Sequence, residues 1–406
     1  MKKRLILLLA FGLVLLMPFL GSYIKFHGAI PGFSAADLPA PKTYNPYTGT
    51  VLFYLILAIL IELPMVYFLI FGFKKNGSTI KPSAGTAPAG KFPFWFIPSI
   101  IVFMFFWWLM WAKIPTYSKY AFVPLWWGFI FFLDAIVYKR NNGKSLISSM
   151  PKQMFVLAVV SALSWTVYEL LNVFVLECWY YPNISYYDHA KVEEWFELSY
   201  TTVLPAIFEW YWLLTTIKSL HGKYLSGKPI KPLSNQTIYL LLAGGCILAF
   251  LSGFIPEYFF WFLWLALIPI MGPVMAIQGF KTPFTPISKG NWTFVVLIGI
   301  ATLLNGFVWE FWNFGSDYHY VEKLLRTAGS IPTNPNFWRY SVPNLNSPTL
   351  RFSEMPVVGY MGYVFFGISS WMLWLTFAYI LGLNPQVTQV SFVSEGESEN
   401  ASDTNS

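Results

Sequence analysis

The sequence has few charged residues, few histidines and few cysteines. Only 11% of its 406 residues are Asp, Glu, Lys or Arg, whereas about 25% is typical of a soluble domain. The two cysteines, Cys178 and Cys246, are too few for a disulfide framework. Four histidines argue against a histidine-rich metal centre. This composition disfavours both a soluble globular domain and a small secreted domain held by disulfides.

Common signatures of nucleotide binding and hydrolysis are also missing. The chain contains no Walker loop, no G-x-G-x-x-G, no H-E-x-x-H and no G-x-S-x-G motif. His189 and His319 lie near acidic residues in predicted loops, but no metal-ligand spacing recurs between them. We therefore predict no cofactor and no metal. The formal charge of +7 does not indicate a nucleic-acid partner, because the basic residues lie in short segments between apolar runs.

Long apolar runs dominate what is present. Hydrophobic residues make up 56% of the chain and aromatic residues 20%. Each run is near the roughly 20 residues that cross the hydrocarbon core of a bilayer. The first run follows Met1-Lys2-Lys3-Arg4 without a convincing cleavage site, and we interpret it as an uncleaved span. The ten predicted spans cover roughly 5–20, 50–73, 93–112, 119–138, 153–177, 200–218, 236–254, 257–279, 292–313 and 356–382.

The distribution of Lys and Arg predicts the orientation of these spans. Cytoplasmic loops are enriched in both residues, and most of them fall in inner segments if the N-terminus is cytoplasmic. We therefore predict a multi-pass protein of the cell (plasma or inner) membrane with both termini inside. A wrongly assigned span within 236–279 would reverse the orientation of everything after it. The polar, acidic tail 384–406 has no apolar periodicity, and we expect it to be disordered.

The second half of the chain repeats features of the first. Glu169 and Asn172 lie 141 positions before Glu310 and Asn313 (310 − 169 and 313 − 172). The segment Trp179-Tyr180-Tyr181-Pro182-Asn183 also resembles Trp338-Arg339-Tyr340-Ser341-Val342-Pro343-Asn344. The alternative is that apolar helices resemble one another through composition alone, but matching polar residues inside spans are harder to obtain in that way.

These repeats predict an all-α transmembrane bundle in four parts. A two-span region with a cytoplasmic linker covers 1–92, and two four-span repeats cover 93–232 and 233–383. Because four is an even number, both repeats have the same orientation, which makes them parallel repeats about an axis along the membrane normal. The tail forms the fourth part.

The repeated Glu and Asn residues are the main candidates for function. Residues three apart share a helix face, so each helix presents one carboxyl beside one carboxamide. An ionisable residue inside a span is costly and is a functional hypothesis by default. A carboxyl in an apolar setting can hold a proton near neutral pH, as an acid catalyst or a proton carrier requires. We predict that Glu169 and Glu310 handle protons and that Asn172 and Asn313 orient them.

Aromatic residues and further acids accompany these four positions on the predicted outer side. They suggest a pocket with aromatic walls between the two halves, suited to a flat or long apolar ligand. In the alternative interpretation, the Glu and Asn side chains only join neighbouring helices, and the aromatic rings pack or form interface belts. The predicted ligand-contacting residues besides Asn172 and Asn313 are Trp165, Tyr168, Trp309, Trp312, Glu197 and Glu354.

Three other acids lie inside predicted spans. Glu209 has no acidic counterpart in the second repeat, which weakens a symmetric role. Glu62 could bind a proton or join another helix. Asp134 lies shortly before Lys139 and Arg140, and we predict that it pairs with them at the inner interface.

The last third of the chain resembles a group of bacterial polytopic integral membrane proteins that have no assigned activity. The likeness rests on Trp309-Glu310-x-x-Asn313, on Trp338-x-Tyr340 and on Phe352-Ser353-Glu354-Met355-Pro356-Val357-Val358-Gly359-Tyr360-Met361-Gly362-Tyr363. A weaker likeness is to membrane lycopene cyclase domains, which also duplicate small sets of spans and place acids after Pro, as in Pro205-Ala206-Ile207-Phe208-Glu209 and Pro256-Glu257. The adjacent acid pair of those domains is absent here, so the likeness implies only a class of ligand.

Three functions fit the sequence. The leading prediction is a protein that acts on a lipid or isoprenoid-like substrate from the outer side of the membrane. The second is a proton-coupled transporter that uses the same carboxyls. The third is a membrane scaffold without a ligand. Membrane lipid and an apolar small molecule are the expected partners, and the sequence does not decide the oligomeric state.

Overall fold

The computed structural model describes residues 2–28, 48–73, 90–114, 117–176, 178–184, 189–316, 334–341 and 351–383. Over these ranges the chain is mainly helical, as the apolar runs predict. The helices are α1 Lys2–Lys25, α2 Thr48–Phe71, α3 Phe96–Ala112, α4 Phe122–Arg140, α5 Leu146–Ser149, α6 Pro151–Leu171, α7 His189–Tyr200, α8 Val203–Thr215, α9 Lys218–Lys223, α10 Asn235–Phe254, α11 Pro256–Phe259, α12 Leu267–Ile277, α13 Thr293–Gly315 and α14 Gly362–Leu381.

Short strands accompany the helices at two places in the same ranges. β1 Trp179–Tyr180 pairs antiparallel with β2 Arg339–Tyr340, and β3 Arg351–Phe352 pairs antiparallel with β4 Met355–Pro356. The predicted tail 384–406 lies outside the described residues.

The chain is a multi-pass α-helical membrane protein. Six of the described helices are long and apolar enough to cross a membrane, namely α1, α4, α6, α10, α13 and α14. A seventh span results if Pro256–Trp264 and α12, which meet at a bend of 45°, count as one. A 3₁₀ turn at Phe260–Trp264 lies next to this bend.

The predicted span 50–73 forms the 24-residue helix α2, whereas the predicted spans 93–112 and 200–218 contain shorter helices. α3 has 17 residues and α8 has 13. At 1.5 Å per residue, α8 is about 20 Å long, which is less than the roughly 30 Å of a hydrocarbon core. Residues 201–202 separate α8 from α7, so the predicted span 200–218 is not one straight helix.

One face of helix α1 packs closely on α10. A Cβ atom at Gly253 would overlap the carbonyl oxygen of Pro18, and one at Gly21 would overlap the carbonyl oxygen of Phe250. Small residues at such crossings let two backbones approach, which is how helices associate in lipid. Leu7, near the other end of α1, is fully buried. The first helix is therefore part of the packed core.

The contact between α1 and α10 predicts a strong effect of side-chain volume at Gly253. We expect Gly253→Val to lower the stability by about 1–3 kcal/mol or more, because backbone atoms must move apart. The matched control is Gly244→Val on the same helix, where a Cβ meets open space. Thermal unfolding in detergent measures both. Equal unfolding temperatures for the two variants would contradict this account of the crossing.

Asp134 joins two helices on the side of the bundle where α4 ends. Its fully buried carboxyl accepts hydrogen bonds from the Ser145 hydroxyl at 2.9 Å and from the Ile147 N–H at 3.0 Å, and so holds the start of α5. Glu209 of α8 lies within electrostatic range of it, and both oxygens of Glu209 are buried with no hydrogen-bond partner among the described residues. The predicted pairing with Arg140 is wrong, because that guanidinium donates to the Thr216 hydroxyl at 2.7 Å.

Lys139, the other predicted partner of Asp134, contacts an aromatic ring. The Lys139 ammonium lies 4.0 Å from the centre of the Phe92 ring, a distance typical of a cation–π interaction. The two basic residues therefore make their contacts elsewhere, and the buried acid accepts hydrogen bonds from neutral donors, the Ser145 hydroxyl and the Ile147 N–H.

The Asp134 contacts predict a difference between two substitutions. Asp134→Ala leaves the Ser145 hydroxyl and the Ile147 N–H without their acceptor, and we expect it to cost about 1–3 kcal/mol. Glu209→Gln should cost less, because it keeps the shape of the side chain, removes a second buried acid close to Asp134 and takes no hydrogen-bond partner from Asp134. Thermal unfolding in detergent tests both variants. The interpretation fails if Glu209→Gln destabilises the protein as much as Asp134→Ala does.

Candidate functional site

Each of the two repeated Asn side chains holds a strand against the end of a long helix. After α6, the chain makes a π-helical turn at Asn172–Leu176. The Asn172 amide donates to the Trp179 carbonyl oxygen at 2.8 Å, and its oxygen accepts from the Trp179 N–H at 3.1 Å. This pair of hydrogen bonds fixes β1 beside the helix from which it came.

The same arrangement recurs at the end of α13. The Asn313 amide donates to the Trp338 carbonyl oxygen at 2.8 Å, and its oxygen accepts from the Trp338 N–H at 3.0 Å. β2 begins at the next residue. Since β1 and β2 pair with each other, with Trp179 opposite Tyr340 and Tyr180 opposite Arg339, the two amides together place one small ribbon across both helix ends.

The two Glu side chains lie beneath this ribbon. Glu169 accepts hydrogen bonds from the Trp165 indole at 2.9 Å, from the Trp179 indole at 3.2 Å and from the Tyr181 hydroxyl. The sequence predicts that Asn172 orients this carboxyl. Instead, two indoles and a phenol hold it, and Asn172 is fully engaged with the main chain of β1.

Glu310 has a related but different set of partners. It is fully buried, and one of its oxygens accepts from the Tyr340 hydroxyl at 2.6 Å and from the Tyr363 hydroxyl at 2.9 Å. The Trp338 indole donates to the Tyr340 hydroxyl at 3.0 Å. Asn313 is bound to the main chain of Trp338, so the predicted orienting role belongs to tyrosines here as well.

A cavity of about 330 Å³ lies beside these groups. Its wall is mostly aromatic and apolar, and Tyr181, Tyr340 and Tyr363 are part of it. Glu62 of α2 is the acidic side chain among the described residues that line it. The indole and phenyl groups of the wall are those of Phe122, Trp165, Trp179, Phe260, Trp261, Trp264, Trp309, Trp338, Phe365 and Phe366.

Tyr181 and Tyr340 are suited to stay protonated and to donate hydrogen bonds. Burial raises the pKa of each phenol well above its ordinary value, and the neighbouring carboxyl, Glu169 or Glu310, raises it further. Both phenols therefore keep their protons at neutral pH. Each connects a wall of the cavity to a buried carboxyl that does not itself line the cavity.

No protein-family model, no curated protein and no solved structure matches this chain. The function of the site must therefore be argued from its own residues.

The predicted ligand-contacting residues separate into two groups. Trp165 and Trp309 line the cavity. Tyr168 lies behind the wall and stacks on Trp264 with ring centroids 5.0 Å apart. Trp312 packs away from the cavity, with its ring centroid 4.8 Å from that of Trp126.

The two predicted acids of the loops also lie outside the cavity wall. Glu197 is exposed and accepts a hydrogen bond from the Thr166 hydroxyl at 3.0 Å. Glu354 is buried and lies within electrostatic range of Glu310. Each of these acids is therefore close to one of the Glu-bearing helices without contacting the cavity.

Sequence reasoning missed Tyr181, Tyr363 and Trp264. One signal for Tyr181 was available, because a Tyr follows each loop Trp by two residues, as in Trp179-x-Tyr181 and Trp338-x-Tyr340. Alternate residues of a strand share a face, so this spacing predicts a Trp and a Tyr that reach the same helix end. Tyr363 ends the run that carries the resemblance to bacterial membrane proteins, but nothing in the sequence connects it or Trp264 to the two Glu residues.

The remaining features to describe are the two cysteines and the possible metal ligands. Cys178 is buried in the cavity wall, and Cys246 is half-buried and does not line the cavity. Within the described ranges, no three His, Cys, Asp or Glu side chains are grouped to hold a metal ion. The side chain of His189 and all of His319 lie outside those ranges.

The role of the Asn amides predicts a loss of stability when they are removed. Asn172→Ala leaves the N–H and carbonyl of Trp179 without these partners, and we expect a cost of about 1–3 kcal/mol. The control is Asn305→Ala in α13, a buried amide whose two polar atoms have no partner among the described residues. We expect it to cost less. Thermal unfolding in detergent gives the comparison, and a larger effect of Asn305→Ala would contradict the prediction.

Proposed function

We propose that this membrane protein binds an apolar lipid or isoprenoid-like molecule in the aromatic cavity and acts on it by proton transfer. One observation carries the proposal: an apolar cavity whose wall includes tyrosines hydrogen-bonded to two buried carboxyls. Glu169 and Glu310 are the proton reservoirs in this proposal, and the tyrosines are the groups that meet the ligand.

The wall favours an apolar ligand over a polar one. Ligand sites are typically clefts of about 300–1,000 Å³ lined mainly by apolar and aromatic side chains, with a few polar groups for orientation. The cavity of about 330 Å³ falls in this range. Its rings include Trp264 and Trp309, whose flat faces suit a chain or ring system without charge.

The hydrogen bonds favour proton transfer as the chemistry. A hydroxyl both donates and accepts, so a proton can pass from a ligand to a tyrosine oxygen while the tyrosine proton passes to the carboxyl, or in the reverse direction. General acid–base catalysis needs such a group within hydrogen-bond reach of the reacting atom. Tyr181, Tyr340 and Tyr363 meet this need at the cavity wall.

We further propose the ten-span topology, with both termini cytoplasmic and two parallel repeats in the plasma membrane. The matched contacts support the repeats, because Asn172 and Asn313 each bind the main chain of a strand Trp. The strand register supports them too, because Tyr180 faces Arg339, the position equivalent to it. Antiparallel pairing about equivalent positions is what a two-fold axis produces.

The resemblance to bacterial polytopic membrane proteins and the weaker one to lycopene cyclase domains are also proposals. The resemblance to lycopene cyclase domains agrees with an isoprenoid-like ligand, but the proposed class of ligand rests on the residues of the cavity wall.

One observation favours a proton-coupled transporter as the second candidate. Glu62 lines the cavity from α2, which lies outside the two proposed repeats and could load a proton independently of them. Uptake of the ligand into liposomes that depends on a pH gradient would favour this function, and turnover of the ligand without a gradient would favour the enzyme.

The ligand proposal predicts what is retained on purification. Gly362 lines the cavity, and a Cβ there meets open space, so Gly362→Leu should fill part of the cavity without disturbing the helix. We expect a specific apolar molecule in the mass spectrum of wild-type protein purified in mild detergent. That molecule should be lost, or reduced about tenfold, which corresponds to about 1.4 kcal/mol of binding free energy, in Gly362→Leu.

Two further proteins complete this experiment. Gly244→Leu is the matched control, since its Cβ also meets open space but the residue does not line the cavity. The double variant Glu169→Gln, Glu310→Gln should change the bound molecule or its amount. An identical background of bulk phospholipid in all four proteins would overturn the ligand proposal.

A further inference from the structure

The two buried carboxyls differ in the kind of donor that surrounds them. Two indole N–H groups, those of Trp165 and Trp179, donate to Glu169 at 2.9 and 3.2 Å. An indole N–H can only donate, so it requires an acceptor. The Trp179 indole reaches both oxygens of Glu169, each at 3.2 Å. Both oxygens therefore serve as acceptors, as the oxygens of an ionised carboxylate do.

Glu310 is placed differently. The hydrogen bonds from Tyr340 and Tyr363 reach only one of its oxygens. The other oxygen is buried and has no hydrogen-bond partner in the part of the chain that the structure describes. The indole equivalent to that of Trp179, on Trp338, donates instead to the Tyr340 hydroxyl. A buried carboxylate oxygen without a donor is costly, whereas a neutral carboxyl can leave its second oxygen protonated at lower cost.

The surroundings of Glu310 also contain a second acid. Glu354 is buried and lies within electrostatic range of it, and two nearby carboxyls resist being ionised together. Its counterpart near Glu169 is Glu197, which is exposed to solvent. Charge on Glu197 is therefore screened.

We propose that, in the resting protein, Glu169 is an ionised carboxylate and Glu310 is a neutral carboxylic acid, so that the two walls of the cavity have opposite roles. The wall of Tyr340 and Tyr363 then gives protons, and the wall of Tyr181 takes them. These roles rest on the proposed function, whereas the two protonation states do not.

The transfers balance without any further reactant. On one wall, the hydroxyl of Tyr340 or Tyr363 turns from Glu310 and passes its proton to the ligand, and the Glu310 carboxyl turns so that its protonated oxygen returns a proton to that tyrosine and Glu310 becomes a carboxylate. On the other wall, a ligand proton passes to the Tyr181 oxygen while the Tyr181 proton passes to Glu169, which becomes neutral. One proton enters the ligand and one leaves it, the charge of the site is unchanged, and no oxidant or reductant is needed.

This assignment defines the chemical class of the ligand more closely. The molecule must be apolar over most of its length, accept a proton near Tyr340 and Tyr363, and release one near Tyr181. Both Glu residues act through tyrosines, so they are positioning residues, and the tyrosines are the groups expected to touch the ligand.

Infrared difference spectroscopy of the purified protein, with no ligand added, tests the protonation states directly. A neutral carboxyl has a C=O stretching band that is separate from the carboxylate bands and shifts in D₂O. We expect Glu310→Gln to remove one such neutral band. Glu169→Gln should remove carboxylate intensity and no neutral band. The difference between variant and wild type cancels the contribution of other buried acids such as Asp134 and Glu209.

The control is Glu197→Gln, a substitution of an exposed acid that does not line the cavity, which should leave the neutral band of Glu310 in place. If Glu310→Gln does not fold, Tyr363→Phe gives the same information, because loss of its hydrogen bond must shift the neutral band. Tyr181→Phe should leave that band in place. A neutral band lost in Glu169→Gln, or unchanged in both Glu310→Gln and Tyr363→Phe, overturns the assignment.

The outcome is separable from that of the ligand experiment. If Glu169 and Glu310 differ in protonation state but only bulk phospholipid co-purifies, the assignment stands and the proposed function is overturned. If a specific ligand co-purifies but both carboxyls are in the same protonation state, the proposed function stands and the assignment is overturned.

Discussion

The arrangement of the site depends on two carboxamides that bind main chain. Each strand lies where it does because an Asn on a long helix accepts from, and donates to, the same strand Trp, at Asn172 and at Asn313. Backbone groups buried in a membrane protein must find partners inside the protein, and these amides supply them. Without the amides, neither Tyr181 nor Tyr340 would be held above a carboxyl.

The aromatic residues have a consequence for the carboxyls. Indoles and phenols are large and apolar, but each carries one polar atom, so they exclude water while still offering hydrogen bonds. Glu169 is held by Trp165, Trp179 and Tyr181 in this way. A wall of leucines would leave such a carboxyl unsatisfied, and a wall of serines would admit water. At this site, aromatic side chains therefore supply the hydrogen bonds that water would otherwise make to the carboxyl.

The sequence predicts the helices of this site better than it predicts their partners. The spacing of Glu169 and Asn172, and of Glu310 and Asn313, follows from helix geometry, so their shared faces could be derived. What each side chain touches depends on loops that return to the helix ends, and no local pattern encodes that return. Asp134 illustrates the limit, because its neighbours in sequence are basic, whereas its hydrogen-bond partners in space are Ser145 and Ile147.

The same limit applies to the length of the helices. Apolar composition predicts that a segment belongs to the membrane, but not whether it crosses as one straight helix. The segment that ends in α8 and the bent pair that includes α12 have the composition of spans. The break at 201–202 and the bend beside α12 arise from tertiary packing, and Trp264, at that bend, is thereby brought into the cavity wall.

The ribbon of β1 and β2 also limits how the two halves of the molecule can move. The strands come from different halves, and their main chains are hydrogen-bonded to each other, with a further bond from the Ser341 N–H to the Cys178 carbonyl oxygen at 2.9 Å. A rocking motion that opened a path between the halves on this side would have to break these bonds, each worth about 0.5–1.5 kcal/mol. The ribbon therefore holds the two halves together on this side. A ligand reaches the cavity more easily if side chains or segments around the cavity move than if the halves separate.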